Sequence, residues 1–415
     1  LIYKFCIKNR LHMNPDKNKY IWATLMAISL LIILLPISSY IAAISHIKNE
    51  WDLNNSEVAL IYSSYLIGYA ISALIIVPVT NKSSCKTVLI ISSIISVITH
   101  ILFAIISEDL ISGSIIRFFA GAGYVGIYIA GLRIISEQFS ENNRGKAIGL
   151  FVTAQYLSHS LSLGVTDVLI NGLSDWRYGY SIISIISGGG IILFFLLTLK
   201  IKQESPAKTD GSSSSITKDK NIVKIIISYS IHALVLYSIR IWSPIFLNTS
   251  FAASSSDISS KISANSVAAI AFGIAAIGPF LGGIFSDRVG IKKSTSVIVS
   301  ICAISGILFG FVELLDIMPL LIFLLVIYAF SASSDSSIYQ IGLFNTANSN
   351  NLGKSLGIQS FAGLMGGCIG PIIIGFVTDV TTDNYQWIIS FTLLGFLSIL
   401  SLINIKSLTL SRKSD

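Results

Sequence analysis

The sequence predicts an all-α membrane protein in which twelve transmembrane helices form two pseudo-symmetric six-helix bundles. The first observation is composition: of 415 residues, 53% are hydrophobic and only 12% are charged. A soluble domain of this size needs a more polar surface. The second observation is a series of apolar runs that are each long enough to cross a bilayer. The third is a repeat of short motifs between the two halves of the chain.

A helix that crosses the hydrocarbon core of a bilayer needs about 20 mostly apolar residues. The chain contains twelve such runs, called spans 1 to 12 below. They lie near residues 20–45, 56–79, 87–107, 111–136, 146–171, 178–199, 222–248, 263–286, 294–314, 317–342, 354–379 and 386–405. The first six make up the predicted N-terminal bundle, residues 20–199, and the last six make up the C-terminal bundle, residues 222–406.

Polar segments flank and separate the two bundles. Residues 200–221 include a Gly and Ser run with no apolar surface to bury, which predicts a flexible cytoplasmic linker. Residues 1–19 and 407–415 are predicted to be cytoplasmic tails. The segment that starts at Met13 resembles a natural N-terminus. Residues 1–12 are therefore interpreted as an extension upstream of the native chain and not as part of it.

Lysine and arginine residues are distributed unequally between the two sets of loops. The tails, the linker and the loops that follow even-numbered spans carry most of them. The opposite loops carry only Lys48, Arg177 and Lys261, together with many acidic residues. Because cytoplasmic loops hold an excess of Lys and Arg, both termini are predicted to be cytoplasmic, in a bacterial-type inner (plasma) membrane.

Local motifs recur at a constant offset along the chain. Pro36 in span 1 and Pro244 in span 7 are 208 positions apart. The segment 142–149, between spans 4 and 5, matches the segment 350–357 at the same offset of 208. In the loops after spans 2 and 8, Lys86 aligns with Lys293 at an offset of 207. These three landmarks predict two homologous halves related by an axis along the membrane normal.

The stretch from Gly283 to Lys293 reads Gly-Ile-Phe-Ser-Asp-Arg-Val-Gly-Ile-Lys-Lys and joins spans 8 and 9. Its pattern resembles the cytoplasmic-loop signature of the major facilitator superfamily of secondary transporters. In span 4, residues 117–126 are similar to the Arg-then-glycines motif of that family, and residues 137–149 look like its Arg-Gly loop. The equivalent first-half loop, residues 76–86, departs from the signature because it lacks the Asp-Arg pair.

This resemblance implies a conformational latch at the basic loops, in which a carboxylate contacts the end of a neighbouring helix and favours the outward-facing state. The residues that it assigns to the latch are Gly283, Asp287, Arg288, Gly290, Lys292, Lys293 and Arg144. A glycine at position 283 is expected to let two helices approach closely, and Gly290 is expected to supply a turn. The resemblance also implies that spans 1, 4, 7 and 10 line a central cavity.

Charged side chains within hydrocarbon cost at least about 2.5 kcal/mol each on insertion scales, so each needs a partner, water or a function. The charged residues and histidines predicted to lie inside the membrane, away from the span ends that carry further charges, are Arg117, Asp167, Arg240, Asp335, His100, His159 and His232. Three of the four charged ones lie on spans 4, 7 and 10. Asp167 lies near the outer end of span 5, where we expect it to be solvated.

The residues predicted to bind substrate are Arg240, Arg117, Tyr124, Tyr128, His232 and Tyr339. His232 and Arg240 share one face of span 7. Two cavity arginines against one carboxylate favour a substrate with an anionic group, because a guanidinium can donate two parallel hydrogen bonds to it. For Arg117 the alternative is a structural role that holds helices together.

Asp335 is the carboxylate expected deepest in the cavity. It is either the structural partner of Arg240 or Arg117, or a proton carrier that acts with His159 or His232. The alternative for both histidines is that they are packed polar residues.

These features predict a secondary active transporter that moves a small solute, such as an organic or inorganic anion, by alternating access with proton coupling. Efflux of drugs or metabolites by antiport is the alternative within the family. A channel or a membrane-bound enzyme is the alternative from another class. No cofactor or metal is expected, because the four cysteines lack metal-ligand spacing and no phosphate-binding loop is present. The net charge of +7 lies in loops, so membrane topology explains it without a nucleic-acid partner. The protein is expected to be a monomer in the lipid bilayer.

The predicted topology can be tested with reporter fusions. A fusion at Ser212 in the linker should be active with a cytoplasmic reporter and inactive with one that requires export, because the Lys and Arg asymmetry is too large for reversal. A fusion at Asp109, in a loop on the other side, should give the opposite pattern. Activity of the export-dependent reporter at Ser212 would overturn the topology.

Overall fold

The structure is a computed structural model that describes residues 15–80, 83–199, 201, 219–253, 262–347, 349–381 and 385–407. The predicted upstream extension, almost all of the linker and the C-terminal tail from position 408 lie outside the described residues. Within them, every regular element is a helix. The predicted all-α class is therefore confirmed for the part of the chain that is described.

The described helices form the twelve predicted spans. Nine of these spans are single helices: Asn55–Thr80, Cys85–Ile106, Leu110–Gln138, Glu141–Leu173 and Trp176–Thr198 (spans 2 to 6), Lys220–Ala253 (span 7), Ile291–Phe311 (span 9), Ser349–Val380 (span 11) and Gln386–Lys406 (span 12). The other three consist of two helices each: Pro15–Ile33 with Ser39–Glu50 (span 1), Ala264–Ala275 with Gly278–Val289 (span 8), and Met318–Ser334 with Ser336–Thr346 (span 10). Among the described residues, ten spans are long and apolar enough to cross a membrane by length and composition alone.

The three interrupted spans differ from the continuous helices that the sequence predicts. Span 1 opens around Pro36, since proline lacks an N–H group and clashes with the preceding turn. Pro244 occupies the equivalent repeat position, yet span 7 runs through it as one helix. Span 10 is interrupted at Asp335, without a proline, and this break places a carboxylate at a helix junction.

The packing of the helices repeats between the two halves. Span 1 packs on span 5, span 2 on span 4 and span 3 on span 6, and spans 7 and 11, 8 and 10, and 9 and 12 pack in the same way. Two further interfaces join the halves, one between spans 2 and 11 and one between spans 5 and 8. Separation of the halves must therefore open one or both of these interfaces.

Glycines allow spans 2 and 4 to approach to backbone contact. A Cβ atom at Gly121 would lie 1.8 Å from the carbonyl oxygen of Tyr65, and one at Gly68 would lie 1.9 Å from that of Phe118. Any side chain at either position would force these helices apart. The glycines of the span 4 motif thus serve close helix packing, which is their usual use in membranes.

The two ends of the bundle carry different charges. We call the end with residues 51–54, 107–109 and 174–175 the acidic face, and the end with residues 139–146 and 287–293 the basic face. At the acidic face, Arg177 joins three spans: its Nη2 lies 2.6 Å from Oε1 of Glu50, and its guanidinium donates to the carbonyl oxygens of Ala104 (2.9 Å) and Ser107 (2.8 Å). This clamp fixes the ends of spans 1, 3 and 6 relative to one another.

The charge state of Glu50 makes the clamp dependent on pH. Burial raises the pKa of Glu50, but hydrogen bonds from Trp176 and Arg177 outweigh it, so the pKa lies below the usual value of 4.5. A carboxyl group whose pKa is lowered by folding contributes stability above its unfolded pKa, and this contribution is lost as the pH falls through the folded value.

We expect Arg177→Ala to destabilise the protein by about 1 kcal/mol, mostly through the lost carbonyl hydrogen bonds, because the ion pair with half-exposed Glu50 is screened by water. Arg288→Ala, which removes an exposed arginine at the basic face, should leave the thermal midpoint unchanged. The difference between wild type and Arg177→Ala should shrink as the pH falls below about 4.5, the unfolded value for Glu50. Equal midpoints at pH 7 would contradict the clamp.

Candidate functional site

Two small cavities lie midway along the spans, at the interface between the halves, and we call them together the central site. The first is lined by Ile37, Ser38, Tyr62, Tyr65, Leu66, Tyr69, Arg117, Tyr124, Gln155, His159 and Tyr237. The second is lined by Tyr156, His159, Leu236, Ile239, Arg240, Phe272, Ala275, Ala276, Ala329 and Ser333. His159 borders both cavities, so the two predicted arginines lie on either side of one histidine.

Each cavity has a volume of about 20 Å³. A space of this size holds one water molecule and no organic solute. The halves must therefore separate locally before a substrate can enter the central site.

Arg240 lies on span 7 and is 9% exposed. The carbon of its guanidinium lies 5.3 Å from the ring centre of Tyr237 and 5.8 Å from that of Tyr156, so it touches aromatic faces from both halves. Within the residues that the structure describes, the guanidinium of Arg240 forms no ion pair and donates no hydrogen bond. Cation–π contacts offset only part of the cost of burying this charge.

Arg117 lies on span 4 and is 1% exposed. Its guanidinium carbon lies 4.6 Å from the ring centre of Tyr65 and 5.1 Å from that of Tyr40. Nε and Nη1 have no hydrogen-bond partner in the described part of the chain. The structure thus places a second buried guanidinium, with free donors, beside the first cavity.

Polar neighbours surround these arginines. Nδ1 of His159 lies 3.1 Å from the hydroxyl oxygen of Ser38, which sits where span 1 is interrupted. Nε2 of Gln155 donates to the hydroxyl oxygen of Tyr124 at 2.7 Å. Tyr124 therefore lies at the central site as predicted, and Gln155 is a neighbour that sequence reasoning missed.

Span 2 presents a row of tyrosines to the first cavity. Tyr62, Tyr65 and Tyr69 are spaced at i, i+3 and i+7, which is one face of a helix. This spacing is visible in the sequence and could have identified span 2 as part of the site. Tyr156 and Tyr237 carry no comparable signal, because span 5 has a single tyrosine and span 7 has only Tyr229 besides Tyr237, eight positions away.

Three predicted residues lie outside the central site, which corrects their expected placement in the cavity. Nδ1 of His232 lies 2.6 Å from Oδ1 of Asp335, and the hydroxyl groups of Tyr339 and Ser401 lie 3.1 Å apart. These residues line a cavity of about 10 Å³ inside the second half, against spans 9 and 12. Asp335 therefore contacts His232, and neither Arg240 nor Arg117 is its partner.

Tyr128 borders neither cavity of the central site. Its ring stacks on that of Tyr124, with ring centres 6.1 Å apart, and on that of Phe151 at 6.2 Å. It therefore supports Tyr124 from the side of the basic face.

The break in span 10 links the central site to the His232–Asp335 pair. The hydroxyl oxygen of Tyr156 lies 3.5 Å from that of Ser336, the residue that follows Asp335. Ser333, two residues before Asp335, lines the second cavity beside Arg240. The helix junction thus has one side toward the central site and the other toward the buried contact between His232 and Asp335.

The predicted latch residues lie at the basic face, where Asp287, Arg288, Lys292, Lys293 and Arg144 are exposed. The carboxylate of Asp287 makes no hydrogen bond or ion pair with the described part of the chain.

Two glycines of that loop behave differently. Gly290 has a φ of +83° and forms the turn between spans 8 and 9, as expected. The close helix approach is made by Gly282 and not by Gly283: a Cβ atom at Gly282 would lie 1.9 Å from the carbonyl oxygen of Ser334, whereas one at Gly283 would meet its nearest atom at 3.7 Å.

Asp167 is buried, whereas the sequence analysis predicted that it would be solvated. It is 5% exposed, and it accepts hydrogen bonds from Ser263, from Ser266 (3.0 Å) and from Asn265 (3.0 Å), all in the other half. Apolar surroundings along span 5 gave no sign of these partners, because they lie about a hundred residues away in sequence.

Among the described residues, no group of three or more His, Cys, Asp or Glu side chains could hold a metal ion. Cys85, Cys302 and Cys368 are free and buried, and Cys6 lies outside the described residues. The site therefore offers hydrogen bonding, charge and aromatic surface.

A bundle of twelve spans in two repeated halves, with a buried polar site between them, is the architecture of an integral membrane transporter. The sequence profile described as Major Facilitator Superfamily matches residues 26–371, and the chain belongs to this superfamily. It is a transporter and not an enzyme.

Two curated relatives match over most of their length. The hexuronate transporter of Bacillus subtilis is 22% identical over 358 residues, which is 81% of this chain and 82% of the relative. The D-galactonate transporter of Escherichia coli is 20% identical over 407 residues, covering 88% and 90%. The multidrug resistance protein MdtL of Salmonella paratyphi C is 26% identical, but over only 48% of this chain and 50% of its own.

Solved structures share the fold. A mutant of the nucleoside transporter NupG has a TM-score of 0.75 at 15% identity, covering 94% of this chain and 99% of its own. A bacterial homologue of the human lysosomal transporter Spinster, in an inward-facing and unoccupied conformation, has a TM-score of 0.68 at 14% identity, covering 95% and 96%.

Proposed function

We propose that this transporter moves small organic anions, with hydroxylated sugar acids as the substrate class, and that protons drive the movement. The observation that carries the proposal is the pair of buried arginines at the central site, Arg117 and Arg240, which have no carboxylate partner in the described residues. The hexuronate and D-galactonate transporters among the relatives support the same substrate class.

The two guanidinium groups favour an anion on physical grounds. A charge in hydrocarbon is retained at a cost of several kcal/mol unless a counter-charge or water accompanies it. The planar fork of an arginine can donate two parallel hydrogen bonds to one carboxylate, which combines charge compensation with orientation. A carboxylate substrate would supply the acceptor that Arg240 lacks.

The remaining lining suits a polar chain attached to that carboxylate. Tyrosine hydroxyls and the amide of Gln155 both donate and accept hydrogen bonds, so they can pair with the hydroxyl groups of a sugar acid. The rings of Tyr156 and Tyr237 present apolar faces at the Arg240 end. A purely apolar drug would leave these polar groups unpaired in a closed site.

Proton coupling is assigned to Asp335 and His232, in place of the expected pairing with His159. A carboxyl group in a closed helical bundle can be neutral in one state and ionised in another when alternating access changes its solvation. Ser336 contacts Tyr156, so movement at the central site reaches the junction that carries Asp335. His159 remains a candidate for substrate contact between the two cavities.

The basic-face loop, with Asp287 at its centre, is proposed to act as a latch in the opposite state, as the family resemblance implies. We also propose that the protein is a monomer in the inner membrane with both termini in the cytoplasm, because the Lys and Arg residues concentrate on that side. The acidic face then faces outward.

Transport assays in proteoliposomes test the substrate class. With labelled D-glucuronate and D-galactonate as probes, Arg240→Lys should weaken uptake roughly tenfold and Arg240→Gln roughly a hundredfold, because Lys keeps the charge and loses the fork while Gln loses both. Arg133→Gln removes an arginine that pairs with Glu137 away from the central site and is the matched control.

A thermal midpoint equal to that of wild type should show that each Arg240 variant remains folded. Undiminished uptake of either probe by Arg240→Gln would refute anion recognition at this site. If wild type is stabilised by cationic or apolar compounds and by neither sugar acid, efflux of such compounds becomes the better function.

Substitution of the proposed proton carrier should separate exchange from accumulation. Asp335→Asn resembles a permanently protonated carboxyl group, so it should retain exchange of labelled substrate across the membrane but lose accumulation driven by a proton gradient. Glu313→Gln, which removes a carboxylate at the acidic face, is the control. Accumulation by Asp335→Asn with the pH dependence of wild type would remove Asp335 from this role.

A further inference from the structure

We infer that two carboxylates, Asp167 and Asp379, act as a pair of pseudo-symmetric latches that hold the acidic face closed. Each carboxylate extends from one half of the protein and accepts hydrogen bonds at the beginning of a helix in the other half. We call these two contacts the acidic-face latches. The inference does not depend on which solute is carried or on which ion drives transport.

The first latch joins span 11 to span 2. Oδ1 of Asp379 accepts from the backbone N–H of Asn55 at 2.9 Å, and Oδ2 accepts from the backbone N–H of Ser56 at 2.8 Å and from its hydroxyl at 2.5 Å. Asn55 is the first residue of span 2. Its N–H and that of Ser56 have no partner within their own helix, and the helix dipole adds a favourable interaction with the negative charge.

The second latch joins span 5 to span 8. Ser263, the residue that caps the beginning of span 8, donates its hydroxyl to Oδ2 of Asp167 and accepts the backbone N–H of Ser266 at 3.1 Å. The hydroxyl of Ser266 donates to the same Oδ2 at 3.0 Å, and the side-chain amide of Asn265 donates to Oδ1 at 3.0 Å. Asp167 thus reaches the same kind of helix end as Asp379, through the capping side chains.

The internal repeat accounts for both latches. Asn55 and Ser263, which begin and cap the two receiving helices, are 208 positions apart, the offset of the repeat. Asp167 and Asp379 lie on the equivalent spans 5 and 11, and their separation of 212 exceeds the offset by about one helical turn. The same device is therefore built twice, once at each of the two interfaces that join the halves.

Two other hydrogen bonds between the halves also lie toward the acidic face. The hydroxyl of Ser63 donates to the carbonyl oxygen of Cys368 at 2.8 Å, and that of Ser160 donates to the carbonyl oxygen of Ala269 at 2.7 Å. Both of these hydrogen bonds lie on the acidic-face side of Tyr156, whose hydroxyl oxygen lies 3.5 Å from that of Ser336 in the other half. Opening the acidic face must therefore break both latches.

The latches should set the balance between the two access states. A hydrogen bond to a charged group is stronger than one between neutral groups, so each latch should shift the ratio of open to closed acidic faces roughly tenfold. The two latches lie at separate interfaces and share no partner, so their effects should multiply to roughly a hundredfold.

Distance measurements between spin labels test this inference in the full-length protein. One label pair replaces Leu173 and Tyr385, which are exposed at the acidic ends of the two halves (46% and 58%). A second pair replaces Ser140 and Asn345, which are exposed at the basic ends of the two halves. In a chain whose native cysteines are replaced by serine, Asp167→Asn and Asp379→Asn should each increase the long-distance population at the acidic face about tenfold and shorten distances at the basic face.

Two control variants remove carboxylates at the same face without touching the other half. Glu57→Gln acts on a residue that accepts from the backbone of Asn54, and Asp175→Asn acts on the cap of span 6. Both should leave the distances unchanged. Distance distributions for Asp167→Asn and Asp379→Asn that match these controls would overturn the inference.

Should a variant at Asp167 or Asp379 fail to fold, Ser266→Ala provides a milder test of the second latch. It removes one donor to Asp167 and leaves the charge in place, so it should shift the acidic-face distances in the same direction by a few fold. No shift in the folded Ser266→Ala protein would count equally against the inference.

Discussion

The cost of burying an ionised side chain inside a bilayer is the constraint on which this structure depends. At the acidic face the chain meets it with partners, because buried Asp167 accepts hydrogen bonds from the other half. At the centre it does not, because Arg117 and Arg240 rest on tyrosine rings without a carboxylate in the described residues. The proposed binding of an anion would supply the counter-charge that these two arginines lack.

Much of the fold could be predicted, because the lengths of the apolar runs and the internal repeat can be read directly from the sequence. The interruptions could not be predicted in the same way. Pro36 and Pro244 are equivalent in the repeat, yet only span 1 opens, because tolerance of a proline depends on whether neighbouring helices satisfy the freed carbonyl. The break at Asp335 has no sequence signal of its own, since it arises from contacts on two sides of span 10.

The site was predicted in part, for a geometrical reason. Helical periodicity tells which residues share a face, but not which neighbour that face meets. Arg117, Tyr124 and Arg240 meet the interface between the halves, whereas His232 and Asp335 meet the interior of the second half. The rotation of a helix about its axis is set by all the helices packed around it, which a single sequence does not state.

The acidic-face latches, in which a carboxylate caps the beginning of a helix, suit contacts that must open repeatedly. Both caps lie at the ends of helices, so water can replace the carboxylate as the acceptor for those N–H groups once the halves separate, and the net cost of opening stays near a few kcal/mol. An ion pair buried at the centre would cost more to break, because each charge would be left alone in a low dielectric. A modest barrier of this kind lies within the range that differential binding of a substrate can overcome. In this proposal the acidic-face latches hold the protein closed at the helix ends that water can reach. The unpaired arginines lie at the buried centre, where the interaction with a bound anion would be strongest.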